Sequence, residues 1–399
     1  MPANEPAING RILAVINGSL SALTNTDKLI VFFVPGIVHK LFDECALICY
    51  HKTMFNKIKN RVEKEIAIFI KTVNKTYRLN KISPVLFENI KDFISRKGKR
   101  IRPILFIIGY LGFANREKPG LYTSALAIEL LHDFMLVHDD IIDKSHLRRG
   151  LPSIHANLNS YLRNYGKLKF NGQDLAIVVG DVMYAIAIDA FLAIKENMER
   201  KEEALRRFIQ AAVYTGCGEF IELLNGVKRL ENVTKNDIYK IYDYKTAFYT
   251  FSTPLATGAI LAGANSRQTK MLYEYGIYLG RAFQIKDDVL GIFADESKSG
   301  KSSLTDLQEG KKTFLIWHAY KNSDKKTKLL MKKILLKKKI NKKDLILTRQ
   351  IIRSSQALKE AKREIAHLVK KAKQAMSSSR LSSEYKKLLL EYPDKILTL

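Results

Sequence analysis

Leu130-Leu131-His132-Asp133-Phe134-Met135-Leu136-Val137-His138-Asp139-Asp140-Ile141-Ile142-Asp143 is the stretch whose reading decides the fold. Its first part reads as buried helix, and it closes on a cluster of aspartates at 139, 140 and 143. Carboxylates in an apolar setting are costly unless a positive group meets them. Asp139 and Asp143 are four apart and share one helix face, where like charges cost about 0.2–0.5 kcal/mol. A divalent cation turns that repulsion into a binding site. A second cluster, Asp287-Asp288-Val289-Leu290-Gly291, follows Gly280-Arg281-Ala282-Phe283-Gln284-Ile285 in the same manner.

Working outward, the helical period runs almost unbroken from about residue 56. Ile58, Val62, Ile66, Ile70 and Val73 recur at helical spacing, and similar stripes cross 86–95, 120–143, 174–196, 202–226 and 270–293. Alternating strand patterns with hairpin dipeptides are missing, so strands are not needed to account for the chain. The expectation is an all-α fold, a large single-domain helical bundle. Residues 1–55 differ: they are apolar but irregular, broken by Asn17-Gly18 and Pro35-Gly36. The segment Lys28–Tyr50 suits a membrane-surface element, packing on the main domain, or a weakly ordered extension.

The 399 residues carry a net charge of +27 and are 46% hydrophobic, ample for a core and incompatible with wholesale disorder. Much of the charge is lysine near the C-terminus, as in Lys332-Lys333 and Lys337-Lys338-Lys339. No nucleic-acid motif accompanies it, so a solvated lysine face is preferred to a nucleic-acid or anionic-lipid surface, and polyanionic small substrates would still be attracted. Cys45, Cys49 and Cys217 give neither a disulfide framework nor a zinc site and suit a reduced, cytoplasmic compartment. No window approaches the roughly 18 apolar residues of a membrane span, and no signal peptide is expected.

Cations are distributed around the acidic clusters. Gly98-Lys99-Arg100-Ile101-Arg102-Pro103 is a basic turn before a helix, able to present cations and N–H groups to a phosphate. Arg148-Arg149-Gly150 follows the first cluster, and Tyr244-Lys245-Thr246, Gly300-Lys301 and Gly310-Lys311-Lys312 come later. No nucleophile–base pair is evident. The combination fits Mg²⁺, a hard cation that prefers oxygen ligands and bridges to substrate phosphates.

On these motifs, in this order and spacing, the chain closely resembles the trans-isoprenyl (polyprenyl) diphosphate synthases, roughly over residues 60–320. The resemblance implies an isoprenoid-synthase bundle around a central cavity, with residues 56–399 as catalytic domain and 1–55 as an extension of unknown role. It implies Mg²⁺-dependent condensation of isopentenyl diphosphate with an allylic prenyl diphosphate, three Mg²⁺ ions, and a homodimer. Carried over, Asp139 and Asp143 would ligate two ions and Asp287 the third, with Asp288 supporting it and Asp140 behind the ligands. Arg148, Lys245, Thr246, Gln284, Lys301 and Lys311 match positions that contact the allylic diphosphate. Lys99, Arg102, His132 and Arg149 match positions that bind isopentenyl diphosphate.

Phe134 and Met135, five and four residues before Asp139, lie about 7 Å along the helix from the metal site and would set chain length. In the family it resembles, an aromatic at this position without an insertion in the first motif suits short products, of which geranylgeranyl (C20) is expected ahead of farnesyl (C15). His138 is read as packing rather than as a base. Departures from the family pattern are Gly291 in place of a third aspartate, Glu219 in Gly218-Glu219-Phe220-Ile221-Glu222 in place of an amide, and a Gly300–Asp306 loop without the usual proline. A class I terpene cyclase would not need the Lys99/Arg102/Arg149 group. A non-catalytic regulatory subunit would not keep both clusters. Contact of the basic C-terminal region with a membrane would be additional to catalysis.

Overall fold

The structure, a computed structural model, describes residues 13–16, 19–22, 35–294 and 305–397, with side chains over 54–294 and 307–397. The chain divides into two compact units, Met1–Lys52 and Thr53–Leu399. The first holds an antiparallel hairpin of β1 (Leu13–Ile16) and β2 (Ser19–Ala22), with Leu13 opposite Ala22. Helix α1 (Pro35–Tyr77) has residues in both units. The side chains of Lys28–Tyr50, for which three readings stood open, lie outside the described residues.

The second unit is helical, as the periodicity predicts. It continues through α2 (Leu79–Ile82), α3 (Pro84–Ser95), α4 (Ile101–Leu111), α5 (Leu121–Ile142), α6 (Ile154–Leu162), α7 (Gly172–Phe191), α8 (Met198–Val227) and α9 (Lys235–Tyr242). A π-helix (Asp243–Ser252), α10 (Thr253–Leu261) and α11 (Ser266–Phe293) follow, and shorter helices from Thr305 to Leu397 complete the chain. Helix starts carry the residues that satisfy free N–H groups. Asn171 with Asp174 and Thr234 with Asp237 form capping boxes, and Asn265 caps α11.

Every residue of α10 is buried, as are nearly all of α4, and these two pack together at the centre. Helix α5 packs on α4 and along α7; α8 packs on α10 and the π-helix; α11 packs on the π-helix and on the helix Ala357–Ala375. The acidic ends of α5 and α11 are thereby held by rigid neighbours. The short hairpin β3 (Leu147–Arg148) and β4 (Leu151–Pro152) differs from the strand-free expectation. Its turn places Arg149 (φ 55°) and Gly150 (φ 76°) in the left-handed region, as a two-residue hairpin requires, so a single glycine and one strained arginine were enough to form it. Among the described residues no helix is long and apolar enough to cross a membrane.

Lys245 and Thr246 lie on the π-helix, whose wide turn needs close support. Gly218 of α8 approaches from one side, where an added Cβ would meet the Lys245 nitrogen at 2.5 Å. Gly280 of α11 approaches Ala247, where a Cβ would meet Cα at 2.4 Å. The Asp243–Arg281 ion pair, 2.6 Å, ties the start of the π-helix to α11. Alanine is a better helix former than glycine by about 1 kcal/mol, and overpacking costs about 1–3 kcal/mol. With backbone as the obstacle, Gly280→Ala is expected to lower stability by roughly 1–2 kcal/mol, read as a lower urea midpoint at unchanged slope.

Candidate active site

The ends of α5, α8 and α11 surround a polar cavity of about 930 Å³. Asp139 and Asp143 line it from α5, Glu219 and Glu222 from α8, and Asp287 and Asp288 from α11. Lys99, Lys245, Thr246, Gln284 and Lys311 line it too, so nine of the residues singled out in the sequence meet in one space. Carboxylate oxygens of Asp139, Asp143 and Glu219 lie within 4.8 Å of one another. This all-oxygen, anionic donor set fits a hard divalent cation.

Cations already balance part of that charge. Lys245 Nζ lies 2.6 Å from Glu219, 2.5 Å from Glu222 and 3.5 Å from Asp139. Burial disfavours its charge, but these three carboxylates outweigh that and hold the ammonium above its ordinary range. Burial, together with the charges of Asp139 and Glu222, raises Glu219 against the pull of Lys245. Lys311 Nζ pairs with Glu309 at 2.5 Å and approaches Asp143 at 3.9 Å; burial is again outweighed, by Glu222 and Asp143.

The two clusters are supported differently. Asp140 is buried under the site, where Arg148 Nε donates to it at 2.8 Å, while Arg148 Nη2 reaches Asp139 at 3.4 Å. Asp288 accepts from the Tyr242 hydroxyl and, at 3.1 Å, from the Gln284 amide, which in turn accepts from Thr246 at 2.8 Å. Lys301 lies outside the described residues.

A second, largely apolar cavity of about 550 Å³ shares Asp139, Glu219, Lys245 and Thr246 with the first. Phe134 and Met135 line it. The Phe134 ring stacks on Tyr184 at 5.0 Å and meets the edge of His138 at 4.8 Å. His138 lies over Gly180, with Nε2 3.7 Å from Asp181, a packing arrangement as its sequence position suggests.

The remaining basic residues form a group on α4, α5 and the β3–β4 turn. Arg102 donates to Tyr249 and Thr250 at 2.8 Å each, and the Tyr249 hydroxyl lies 3.2 Å from His132 Nδ1. Burial and the nearby Arg102, Arg149, Arg148 and Arg100 push His132 well below its ordinary range. Arg149 lies 3.3 Å from Asp133. Arg100, adjacent in sequence to Lys99, has a different place. It is fully buried and bonded to Glu63 at 3.0 Å, Glu129 at 2.9 Å and the carbonyls of Ile94 and Arg96.

Sequence reasoning did not single out Glu222 as a site residue, nor Tyr242, Tyr249, Glu129 or Asp133. The spacing of Glu219 and Glu222, three apart on one helix face, was the available signal for the acidic wall on α8. The tyrosines carry no local signature, since only the tertiary fold brings them to Asp288 and Arg102.

The chain belongs to the polyprenyl synthetase family, whose model matches residues 83–352, and it is accordingly a trans-prenyltransferase. It is 34% identical over 301 residues to a geranylgeranyl diphosphate synthase of Saccharolobus solfataricus, covering 75% of this chain and 83% of that protein. It is 31% identical over 308 residues to a geranylfarnesyl diphosphate synthase of Aeropyrum pernix, covering 75% and 90%. A geranylgeranyl pyrophosphate synthase from Corynebacterium glutamicum, solved with isoprenyl diphosphate and magnesium, shares the fold at TM-score 0.78 and 23% identity over 86% of this chain and 98% of that one.

Asp133 supplies a test of the buried charges. Burial and the adjacent Glu129 push its carboxyl up to about 8, against Arg149. The native state therefore keeps a proton that the unfolded chain releases near pH 4, and stability from this group is lost as pH rises from about 4 toward 8. Asp133→Asn should show a flatter dependence of Tm on pH across that window, gaining on the parent as pH rises; parallel curves would contradict the assignment.

Proposed function

We propose that the protein condenses isopentenyl diphosphate with an allylic prenyl diphosphate, chiefly to geranylgeranyl diphosphate, with three Mg²⁺ ions as cofactor. One observation carries the reading: acidic ends of α5 and α11 face a single cation-lined cavity that shares Asp139, Glu219 and Lys245 with an apolar one. Asp139, Asp143 and Asp287 would hold the metal, with Asp288 and Asp140, fixed by Tyr242, Gln284 and Arg148, behind them. When bound, Mg²⁺ supplies positive charge to the departing diphosphate.

Arg148, Lys245, Lys301 and Lys311 bring further positive charge to the allylic diphosphate, with Thr246 and Gln284 orienting it. The bond from its C1 to the diphosphate oxygen breaks, and the electron pair leaves with that oxygen. Lys99, Arg102 and Arg149 hold the isopentenyl diphosphate beside it, with His132 as a further hydrogen-bonding group. The double bond of that substrate attacks C1, and one proton lost to the released diphosphate restores a neutral chain. Orientation of the two substrates provides much of the rate. The chain extends into the apolar cavity, which keeps water from the cation and is limited by Phe134, stacked on Tyr184, and by Met135.

Exposed apolar side chains, Ile177 and Val178 on α7 and Leu224 on α8, support a homodimer. The cytoplasm suits the sparse cysteines, and the catalytic domain is assigned to the unit Thr53–Leu399.

Incubation with Mg²⁺, isopentenyl diphosphate and each allylic primer should give mainly C20 product. Asp139→Ala should reduce kcat on the order of 10²–10³-fold, and Phe134→Ala should lengthen the product. Absence of condensation with any primer would overturn the activity, and unchanged lengths in Phe134→Ala the role of that ring.

A further inference from the structure

Residues 325–343 contain ten lysines and no aspartate or glutamate. They form the helix Lys325–Leu335, the turn after it and the start of the helix Lys342–Ser354. Two of the lysines are engaged in ion pairs, Lys332 with Glu231 at 3.0 Å and Lys337 with Asp344 at 2.5 Å. Lys325, Lys326, Lys333, Lys338, Lys339, Lys342 and Lys343 are exposed and form no salt bridge among the described residues.

Exposed aliphatic side chains stand among these lysines. Leu329 is 59% exposed, Leu336 83% and Ile346 54%. Lys326, Leu329 and Lys333 follow one another at helical spacing on the first helix, and Leu336 caps its C-terminal end; Lys342 and Ile346 are four apart on the second. Single exposed aliphatic side chains are common on solvated surfaces, but here three stand in or beside one lysine-rich segment. A nucleic-acid surface would be expected to add exposed aromatic or arginine platforms for bases. Lysines around lone aliphatic side chains match a surface with anionic heads over an apolar layer.

The position of this face in the fold ties it to the site. Gln308, which lines the polar cavity, donates to the Lys338 carbonyl at 2.7 Å and accepts from the Ile340 N–H at 2.8 Å. The lysine turn is therefore joined directly to the cavity wall.

We propose that this lysine face docks the protein on an anionic lipid surface, with Leu329, Leu336 and Ile346 entering the headgroup layer. Docking holds the cavity wall near the bilayer. If the proposed activity holds, an apolar product with a charged head is then released beside the phase that best accepts it. The docking itself stands without that activity.

The test is co-sedimentation of the full-length protein, free of substrate, with vesicles of phosphatidylcholine alone or mixed with phosphatidylglycerol, at low and high salt. Binding is expected on the mixed vesicles only, falling as salt rises. At about fivefold per lysine, the combined Lys333→Gln, Lys338→Gln, Lys339→Gln, Lys342→Gln variant should lose on the order of several hundredfold in affinity. Condensation measured without vesicles should be unchanged in it. Leu329→Ser with Leu336→Ser should weaken binding severalfold and leave its salt dependence alone. No binding to the mixed vesicles, or full binding by the glutamine variant, would overturn the proposal. So would tighter retention of double-stranded DNA than of vesicles with no effect of the two leucines, which would make the face a nucleic-acid site.

Discussion

The mutual repulsion of Asp139, Asp143 and Glu219 is the constraint on which the rest of the site depends. With oxygens within 4.8 Å, each pair of charges repels by about 3 kcal/mol or more at an effective dielectric near 20. Helix packing holds them there: α5 is fixed by α4 and α7, α8 by α10 and the π-helix. Lys245 relieves part of the repulsion, and burial leaves Glu219 above the usual carboxylate range. Such a cluster is poised for added positive charge, and the fold spends considerable structure keeping it so.

Around that cluster the buried charges are organised in layers. Arg148 ties Asp140 beneath the site to Asp139 at its edge. Arg100, Glu63 and Glu129 form a network lower in the bundle, next to Asp133 and Arg149. Removing one member of such a network leaves a buried charge without compensation, typically a loss of about 3–5 kcal/mol. The strained turn that carries Arg149 is anchored by Arg96, which donates to the carbonyls of Arg148 at 3.2 Å and Pro152 at 2.8 Å.

The helical bundle was legible because its signal is periodic: apolar stripes such as Ile58–Val73 and the long run ending at Asp143 admit few other readings. The acidic clusters were legible because carboxylates on apolar helices demand explanation. What escaped was directional. Lys99, Arg100 and Arg102 look equivalent in the sequence, yet Arg100 adopts φ 52° and turns its guanidinium into the core, while Lys99 faces the cavity. The π-helix has no sequence pattern of its own and depends on Gly218 and Gly280, far apart in the chain, approaching it from two sides. The β3–β4 hairpin is too short to leave an alternating pattern. Glu219, noted only as a departure from the family's amide, joins the carboxylate cluster itself.

The central claim is that clusters 148 residues apart, at Asp139 and Asp287, act as one cation site around one diphosphate. Thermal unfolding with Mg²⁺, with inorganic pyrophosphate and with both tests it most directly, because ligands that bind the native state raise Tm according to their binding free energy, including any coupling between them. Together they should raise Tm by more than the sum of their separate effects, and Asp139→Asn or Asp287→Asn alone should abolish that excess. An excess that survives in Asp287→Asn, or none in the parent protein, would contradict the account.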